Sequence, residues 1–594
     1  MTDIGFTNVP ANQRIPGIYP EVHGDIPSQP PQSTLIIGQT LKSQPAVPVA
    51  VSSVANAVKQ FGQNSMLASM VERYLANDPG GNLWCLPLTD VVVSTTAGFT
   101  AASAAITGLP ATGIANGMTI VGQGVPIGAQ IASYSSGAGT ATLSAGTFTG
   151  STGTISVTIG TYAQATIDFT HTPNEDGTIW IYIAGRSVAI PVTNNMAPAD
   201  IATNAVAAIN KYYDANDLGL KKQQRNFLGV AMPVAAFVVP GHTTRVGLVA
   251  YNAGSCGNFI DVQLNYYGTT GQQDIPVGLT VAITAMAGGS VDPDTSVIAG
   301  LLADEPYDFI VQPYTTTQAL NDFQTMMLDS TGRWAPQRKV YGHVFSAAQF
   351  GTDGTAAQTF GVARNDQHMT VWCYENTAPM PPYDVAAAAT GAFAAASRVD
   401  PARPCQTLGV TGILAPHRTH RFAYNTRQAL LGCGLALLDY NPDYTVKLMR
   451  AITTYQTDAN GTPDISYRDT ETLYTLMAVV RQMVGDWGAA FPRAKIVDDG
   501  VAFGPGSSFT AGLPDQPIVT LKSGKAVLIA SYSRMASGNG QAVWLSNVAL
   551  FQQNLVLQRN SQDPTRLDAL MPITLASGLR VTAMKIDFAL QSPT

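Results

Sequence analysis

Residues 307–328 read YDFIVQPYTTTQALNDFQTMML, and the fold class of this chain is decided there. Phe309-Ile310-Val311 is a run of strand-forming apolar residues. Thr316–Leu328 then takes a helical pattern. The alternation repeats downstream. Lys339–Phe345 and Met369–Tyr374 read as strands, with helical stretches at Ala356–Arg364 and, Ala-rich, at Asp384–Ser397. Strands separated by helices imply an α/β layer with a largely parallel sheet.

Towards the N-terminus, Thr34-Leu35-Ile36-Ile37-Gly38 is a buried strand. Val54–Ala76 is helical in period but interrupted near Gly62, and Leu83-Trp84-Cys85-Leu86 resumes a strand, completing a β-α-β unit. From Val91 to residue 167 one charged residue type after another is missing: there is no Asp, Glu, Lys, Arg or His. Ala129–Tyr134 and Thr154–Ile159 alternate there as half-buried strands between Gly-rich turns, so a small inserted β-sandwich or barrel is expected. Thr178–Ile190 is a hairpin punctuated by Ala184-Gly185, and a helix follows at Pro198–Tyr212, its proline suited to the first turn. Phe237–Val239 and Arg245–Tyr251 are further β stretches.

Towards the C-terminus the pattern is α+β. Asp469 can cap a helix running to Trp487, with Leu473, Leu476, Met477, Val480, Val484 and Trp487 as its apolar stripe. A second helix lies near Lys522–Met535 and a strand at Asn554–Arg559. Leu579–Leu590 alternates, with Met584, Ile586, Phe588 and Leu590 on one face. Such a strand must pair with something, inside the molecule or outside it. At the other end, prolines at 10, 16, 20, 27, 30 and 31 favour an extended arm over a helix.

The expected organisation is therefore an N-terminal arm (1–32), the first part of a core (33–90), an uncharged all-β insert (91–167) and an α+β domain (168–300). An α/β domain (301–405), a C-terminal core domain (406–578) and a C-terminal strand or arm (579–594) complete it. The fold class is a multidomain α+β and α/β protein: a mixed core, an α/β middle layer, an inserted all-β domain and two extended arms.

Bulk composition narrows the function. At 594 residues the chain is too long for one core. Only 12% of residues are charged, about half the usual share. Few charges leave little to keep copies apart, which favours self-assembly. The net charge of −7 argues against a nucleic-acid coat. Five scattered cysteines without a C-x-x-C pair suit reduced thiols better than disulfides or zinc. No apolar run approaches the ~18 residues of a membrane helix, and no signal peptide is read at the N-terminus, so a soluble cytoplasmic product is expected.

No G-x-G-x-x-G opens a helix, and Gly524-Lys525 lacks the upstream glycine of a phosphate loop. None of the seven histidines stands beside a G-x-S-x-G elbow. His417 and His420 have metal-ligand spacing, but Arg418 and Arg421 beside them repel a cation and a third ligand is not evident. Asp292-Pro293-Asp294 and Asn174–Gly177 fall short of a calcium loop. Neither an enzyme, a cofactor nor a metal is expected.

Several separated stretches, in one order, resemble Mu-like contractile-tail sheath proteins. They include NVPANQRIPGIYPEV (Asn8–Val22), TLIIGQ (Thr34–Gln39), LNYYG (Leu264–Gly268), LTVAITAMAGG (Leu279–Gly289) and DPARPCQ (Asp400–Gln406). Gly412–Phe422, ITTYQT (Ile452–Thr457), PDISYRD (Pro463–Asp469), FPRAKIVDDG (Phe491–Gly500), QRNSQDPTRL (Gln558–Leu567) and the closing strand continue the series. Residues 91–167 depart from it.

The resemblance implies a structural subunit of a virion tail, assembled in host cytoplasm. Its copies form stacked hexameric rings around a tail tube, then contract and drive the tube through the host envelope for genome delivery. Its implied partners are further copies of itself, the tail tube protein, and baseplate and tail terminator proteins, without direct nucleic-acid contact or membrane insertion. Such sheaths stay linked because terminal arms add strands to a neighbour's sheet. Carried onto this chain, those arms centre on Ile18, Tyr19, Glu21 and Val22, and on Thr582, Met584, Ile586 and Phe588. The rival from another class is an α/β enzyme with a β-sandwich accessory domain. A surface adhesin is a third reading.

Overall fold

The computed structural model describes residues 32–587 apart from 101–102, 123–124, 145–152, 212–229, 500–517 and 539–541. The chain divides into two compact units. Of the described residues, one comprises Gln32–Arg398 with Cys405–Thr470, and the other Val399–Pro404 with Glu471 onwards.

The larger unit is built on a nine-stranded sheet. Strands Asn82–Thr89, Ser33–Thr40, Phe309–Val311, His343–Phe350, Met369–Glu375 and Ala436–Tyr440 lie side by side and parallel. Short antiparallel strands finish both edges. Leu35 pairs with Ile310, and Leu35–Ile37 and Phe309–Val311 are without exposed surface, as strands covered on both faces require. Among the covering helices, Pro382–Val399 has Ala386–Ala389 fully buried. Its small side chains admit close neighbours: a Cβ on Gly391 would stand 2.8 Å from the Tyr74 carbonyl. The expected α/β alternation is thus present, in a sheet that also recruits the β-α-β unit of residues 33–89.

One strand begins later than the periodicity suggests. His343–Phe350 replaces the expected Lys339–Phe345. Lys339 is left-handed (φ 58°), so the ladder cannot include it, while Ala347 is buried in the strand despite its weak β preference.

Residues 164–287 form two smaller sheets. Strands Val234–Val238, Arg245–Ala250, Gln164–Thr170 and Thr280–Ala287 make one, and Arg186–Val192, Gly177–Ile183 and Val262–Leu264 the other. Ala184 and Gly185 both have positive φ (50° and 72°), as a two-residue type I′ hairpin loop requires. Helix Pro198–Asn210 shares the core through Ile201, Ala205 and Ile209.

The uncharged insert folds by itself. Strands Thr119–Gly122, Gly153–Gly160, Val92–Phe99, Ala105–Thr107, Thr140–Leu143 and Ile131–Ser135 follow one another in space, all antiparallel. The last returns to the first, through Ile131 N–H to the Met118 carbonyl (2.8 Å) and Ile120 N–H to the Ala129 carbonyl (2.9 Å). Closure removes free edges from a segment that has no charges to protect them. Ile106, Ile120, Ile131 and Ile159 fill its core.

Phe237 fixes the insert to its host. A Cβ on either Gly128 of the insert or Gly247 of the host sheet would collide with the tip of the ring. Gly128 also holds φ at 79°. Gly128→Val is therefore expected to expel the ring and cost ~2–4 kcal/mol by overpacking and backbone strain. Urea unfolding checks this; a variant as stable as the parent would mean that the ring has room to move.

In the smaller unit, helix Leu521–Ser537 opens with a Thr520/Ser523 capping box and stops at left-handed Gly538. Helix Val548–Asn554 is capped by Asn547, and Tyr532 stacks on Phe551 with ring centroids 3.9 Å apart. The remaining β structure is two short pairs, Lys495–Ile496 with Ile518–Val519 and Val556–Arg559 with Leu567–Leu570. Helix Thr470–Ala490 buries Leu473 and Met477 as its period suggests, but Val484 is 65% exposed, and Val479 and Met483 are buried instead. Among the described residues, no helix is long and apolar enough to cross a membrane.

Candidate assembly surfaces

An open parallel sheet takes ligands where its strand order reverses. Here that point lies between Ser33–Thr40 and Phe309–Val311, and the chain fills it with its own residues 252–256. Gln39 Nε2 donates to the Ala253 carbonyl (2.6 Å) and to Asp90 Oδ1 (2.7 Å). Asp90 also accepts from Asn252 Nδ2 and the Ala253 amide. Ser255 bonds Asp292 through its amide (2.7 Å), and Cys256 Sγ faces the Pro313 carbonyl. Burial pushes the Asp90 carboxyl up, and the three donors pull it back. The place where a nucleotide would lie is thus a joint between the large sheet and the smaller ones.

Two of the histidines are equally committed. Fully buried His343 bonds Thr370 Oγ1 (2.8 Å), which bonds Thr470 Oγ1 (2.8 Å); burial holds its imidazole well below the usual range. His368 pairs with Asp329 (2.8 Å) and stacks on Trp334. The rings of His417 and His420 lie 6.0 Å apart, and among the described residues no three metal-binding side chains converge. Four of the five cysteines are buried as free thiols, with Cys433 half-buried.

What the smaller unit presents is unused binding capacity. Met483, Val484, Trp487, Phe491, Leu557 and Leu567 are among the lining of an apolar groove of about 430 Å³. Each nearby β pair has two strands, so each leaves edge amides and carbonyls without a sheet partner among the described residues.

Beyond the bridge between Leu545 and Leu575, residues 576–587 form no strand. Arg580 is tied to Glu471 (3.0 Å), but Leu579, Val581, Met584 and Ile586 are 72–82% exposed. The expected terminal strand is thus absent over its described part. A strand needs a second row of hydrogen-bonding groups, and among the described residues none pairs with 581–587 as a strand. Of the proposed arm residues, Thr582, Met584 and Ile586 are exposed here, while Ile18, Tyr19, Glu21, Val22 and Phe588 lie outside the described residues.

The fold is thus a mixed one of several sheets, its switch point filled by residues 252–256 and apolar surface left exposed in the smaller unit. Residues 288–454 match the family model of the phage tail sheath protein central domain. Over 596 residues the chain is 29% identical to the Mu-like prophage FluMu tail sheath protein of Haemophilus influenzae, covering 99% of this chain and 100% of that one. Residues 288–454 thus carry a phage tail sheath domain, and the chain over its whole length is similar to a Mu-like prophage tail sheath protein.

Solved structures give looser likenesses. A sheath tail protein from Desulfitobacterium hafniense matches at 9% identity, covering 94% of this chain and 100% of its own, with a TM-score of 0.39. A chain of the contracted anti-feeding prophage baseplate matches at 12% identity, covering 99% and 100%, with a TM-score of 0.38.

Proposed function

We propose that copies of this protein stack as hexameric rings around a tail tube and contract to drive it through a host envelope, delivering the genome. The observation that supports this reading is the C-terminal segment, whose Val581, Met584 and Ile586 stand exposed and form no strand among the described residues. In the assembly, Thr582, Met584, Ile586 and Phe588 of one copy, and Ile18, Tyr19, Glu21 and Val22 of another, add strands to open β pairs in a neighbour's smaller unit. Main-chain hydrogen bonds hold such strands while the attached bodies turn. The tube protein, the baseplate and a tail terminator are the other partners, and assembly takes place in host cytoplasm.

Electron microscopy of the purified protein, with and without tube protein, tests this. Hollow cylinders of six-fold rings are expected from the full chain, and none after deletion of residues 1–25 or 579–594. Discrete small particles from the intact protein with tube present would overturn it and bring back the enzyme reading. That reading would then need a site other than the occupied switch point.

The insert faces outward in this assembly. Deleting residues 91–160 is expected to leave tube length and yield unchanged, because a closed barrel has no sheet edge to lend. Tubes lost on that deletion, from a protein whose circular dichroism is otherwise intact, would put the insert inside the lattice.

A further inference from the structure

Where the parallel strands end, the large sheet carries a surface of tyrosines and arginines. Tyr266 lies edge-on to Tyr267 (4.8 Å between centroids) and Tyr444 (6.1 Å). Arg418 sits over Tyr444 at 5.7 Å, and Arg421 over Tyr440 at 5.2 Å and Tyr444 at 5.6 Å. Their hydrogen bonds go to backbone carbonyls, Arg418 to Pro442 and Arg421 to Tyr440 and Asn441. Among the described residues neither makes an ion pair, as is also true of Arg333 and Arg364, whereas Arg73, Arg186, Arg245, Arg338, Arg398 and Arg450 of the same unit do.

Burial pushes the Glu375 carboxyl up and the charge of Arg421 helps to pull it down, but no hydrogen bond joins the two. Glu375 accepts from the Phe422 amide and the Tyr440 hydroxyl, both at 2.7 Å. Asp443 accepts from Thr445. Tyr267 is 44% exposed and neighbouring Tyr424 68%. Arginine and tyrosine together, stacked and partly exposed, are the residues that dominate protein interfaces.

The complementary surface lies at the opposite end of the same sheet. There Thr454 N–H bonds the carbonyl of Met369, the first residue of its strand, and the chain runs on into the loop 458–466. Asp458 and Asp464 hold that loop in shape, and Ile465 projects from it 66% exposed. The seven-residue strand Met369–Glu375 puts about 20 Å between the two surfaces, so they cannot meet within one copy. Two different complementary surfaces at opposite ends make a head-to-tail contact, which repeats along a polymer.

We propose that the loop 458–466 of a second copy docks on this surface, its Asp458 and Asp464 facing Arg418 and Arg421 and its Ile465 lying on Tyr267 and Tyr444. This contact rests on the self-assembly proposed above.

The test uses the assembled full-length protein with photoreactive p-benzoylphenylalanine in place of Tyr267, mixed from isotopically light and heavy copies. Trypsin releases residues 451–468 as one peptide, since Arg450 and Arg468 bound a stretch without lysine or arginine. A light–heavy cross-link to that peptide is expected. In parallel, Arg418→Glu is expected to raise the concentration needed for assembly about tenfold, with Arg418→Lys closer to the parent.

Normal polymers that cross-link to another peptide, to another protein or not at all would overturn the contact and leave the assembly reading standing. So would an Arg418→Glu protein that assembles like the parent. A parent protein that forms no polymer at all would overturn both.

Discussion

A chain ended at Arg580 is expected to fold as the full protein does and to form no tubes. The cut keeps the Arg580–Glu471 pair, which ties the segment to its own unit, and removes what lies beyond it. Val581, Met584 and Ile586 are about 80% exposed in the single chain, so their loss costs the fold little. Placed against a neighbour, each would gain ~1.5 kcal/mol or more from burial, and the three together roughly 4–5 kcal/mol. That is more than a thousandfold in association, before any main-chain hydrogen bond is counted. Sedimentation and electron microscopy read the assembly, and thermal unfolding reads the fold. The proposal fails if the shortened chain melts as the parent does and still makes tubes of normal length. Because the gain is apolar, added salt should not weaken this link as it would weaken the Arg418 contact.

The legibility of these features followed the range of the forces behind them. Phe309–Val311, Met369–Glu375 and the alanine-rich helix were readable because a strand or helix buried on all sides must be apolar along its own length. The insert was readable for a related reason: alternation between glycine-rich turns is local. Pairing is not local. The alignment of Leu35 with Ile310 joins residues 275 positions apart, and no periodicity in either strand records it. The filling of the switch point was hidden likewise, since Ala253 is an ordinary small residue until Gln39 and Asp90 are brought to it. Val484 misled for another reason. Its spacing fits the apolar face of its helix, yet it lines a groove that the described residues leave open. The Arg–Tyr surface was half visible. Arg418 and Arg421 stand out in the sequence as cations beside two histidines, but their stacking on Tyr440 and Tyr444 depends on how the chain folds.

Arg186→Met is expected to be the most destabilising single change in the larger unit, and its cost should shrink in acid. Arg186 reaches Glu72 (2.8 Å) and Ser69 (2.9 Å), and Ser69 in turn donates to Asp384 (2.7 Å). Arg73 lies 3.6 Å from the same aspartate. The Asp384 side chain is fully buried, so its carboxyl depends on its neighbours rather than on water. Burial pushes its carboxyl up, while Arg73 and Arg186 pull it down. Methionine keeps much of the arginine's bulk but removes one of two cations facing two carboxylates. Breaking a buried ionic group this way costs ~3–5 kcal/mol at neutral pH. The pH dependence follows from the sign of the shift. A carboxyl whose folded pKa lies above its unfolded value binds its proton more tightly in the folded state. Stability is then greatest below the unfolded pKa and falls as pH rises through the folded one. Removing Arg186 raises the folded value further and deepens that fall. Urea unfolding of parent and variant at pH 5 and pH 7.5 should therefore show the smaller difference at pH 5. An equal difference at both would mean that Asp384 keeps its charge through Arg73 alone, and that Arg186 acts through its bond to Glu72.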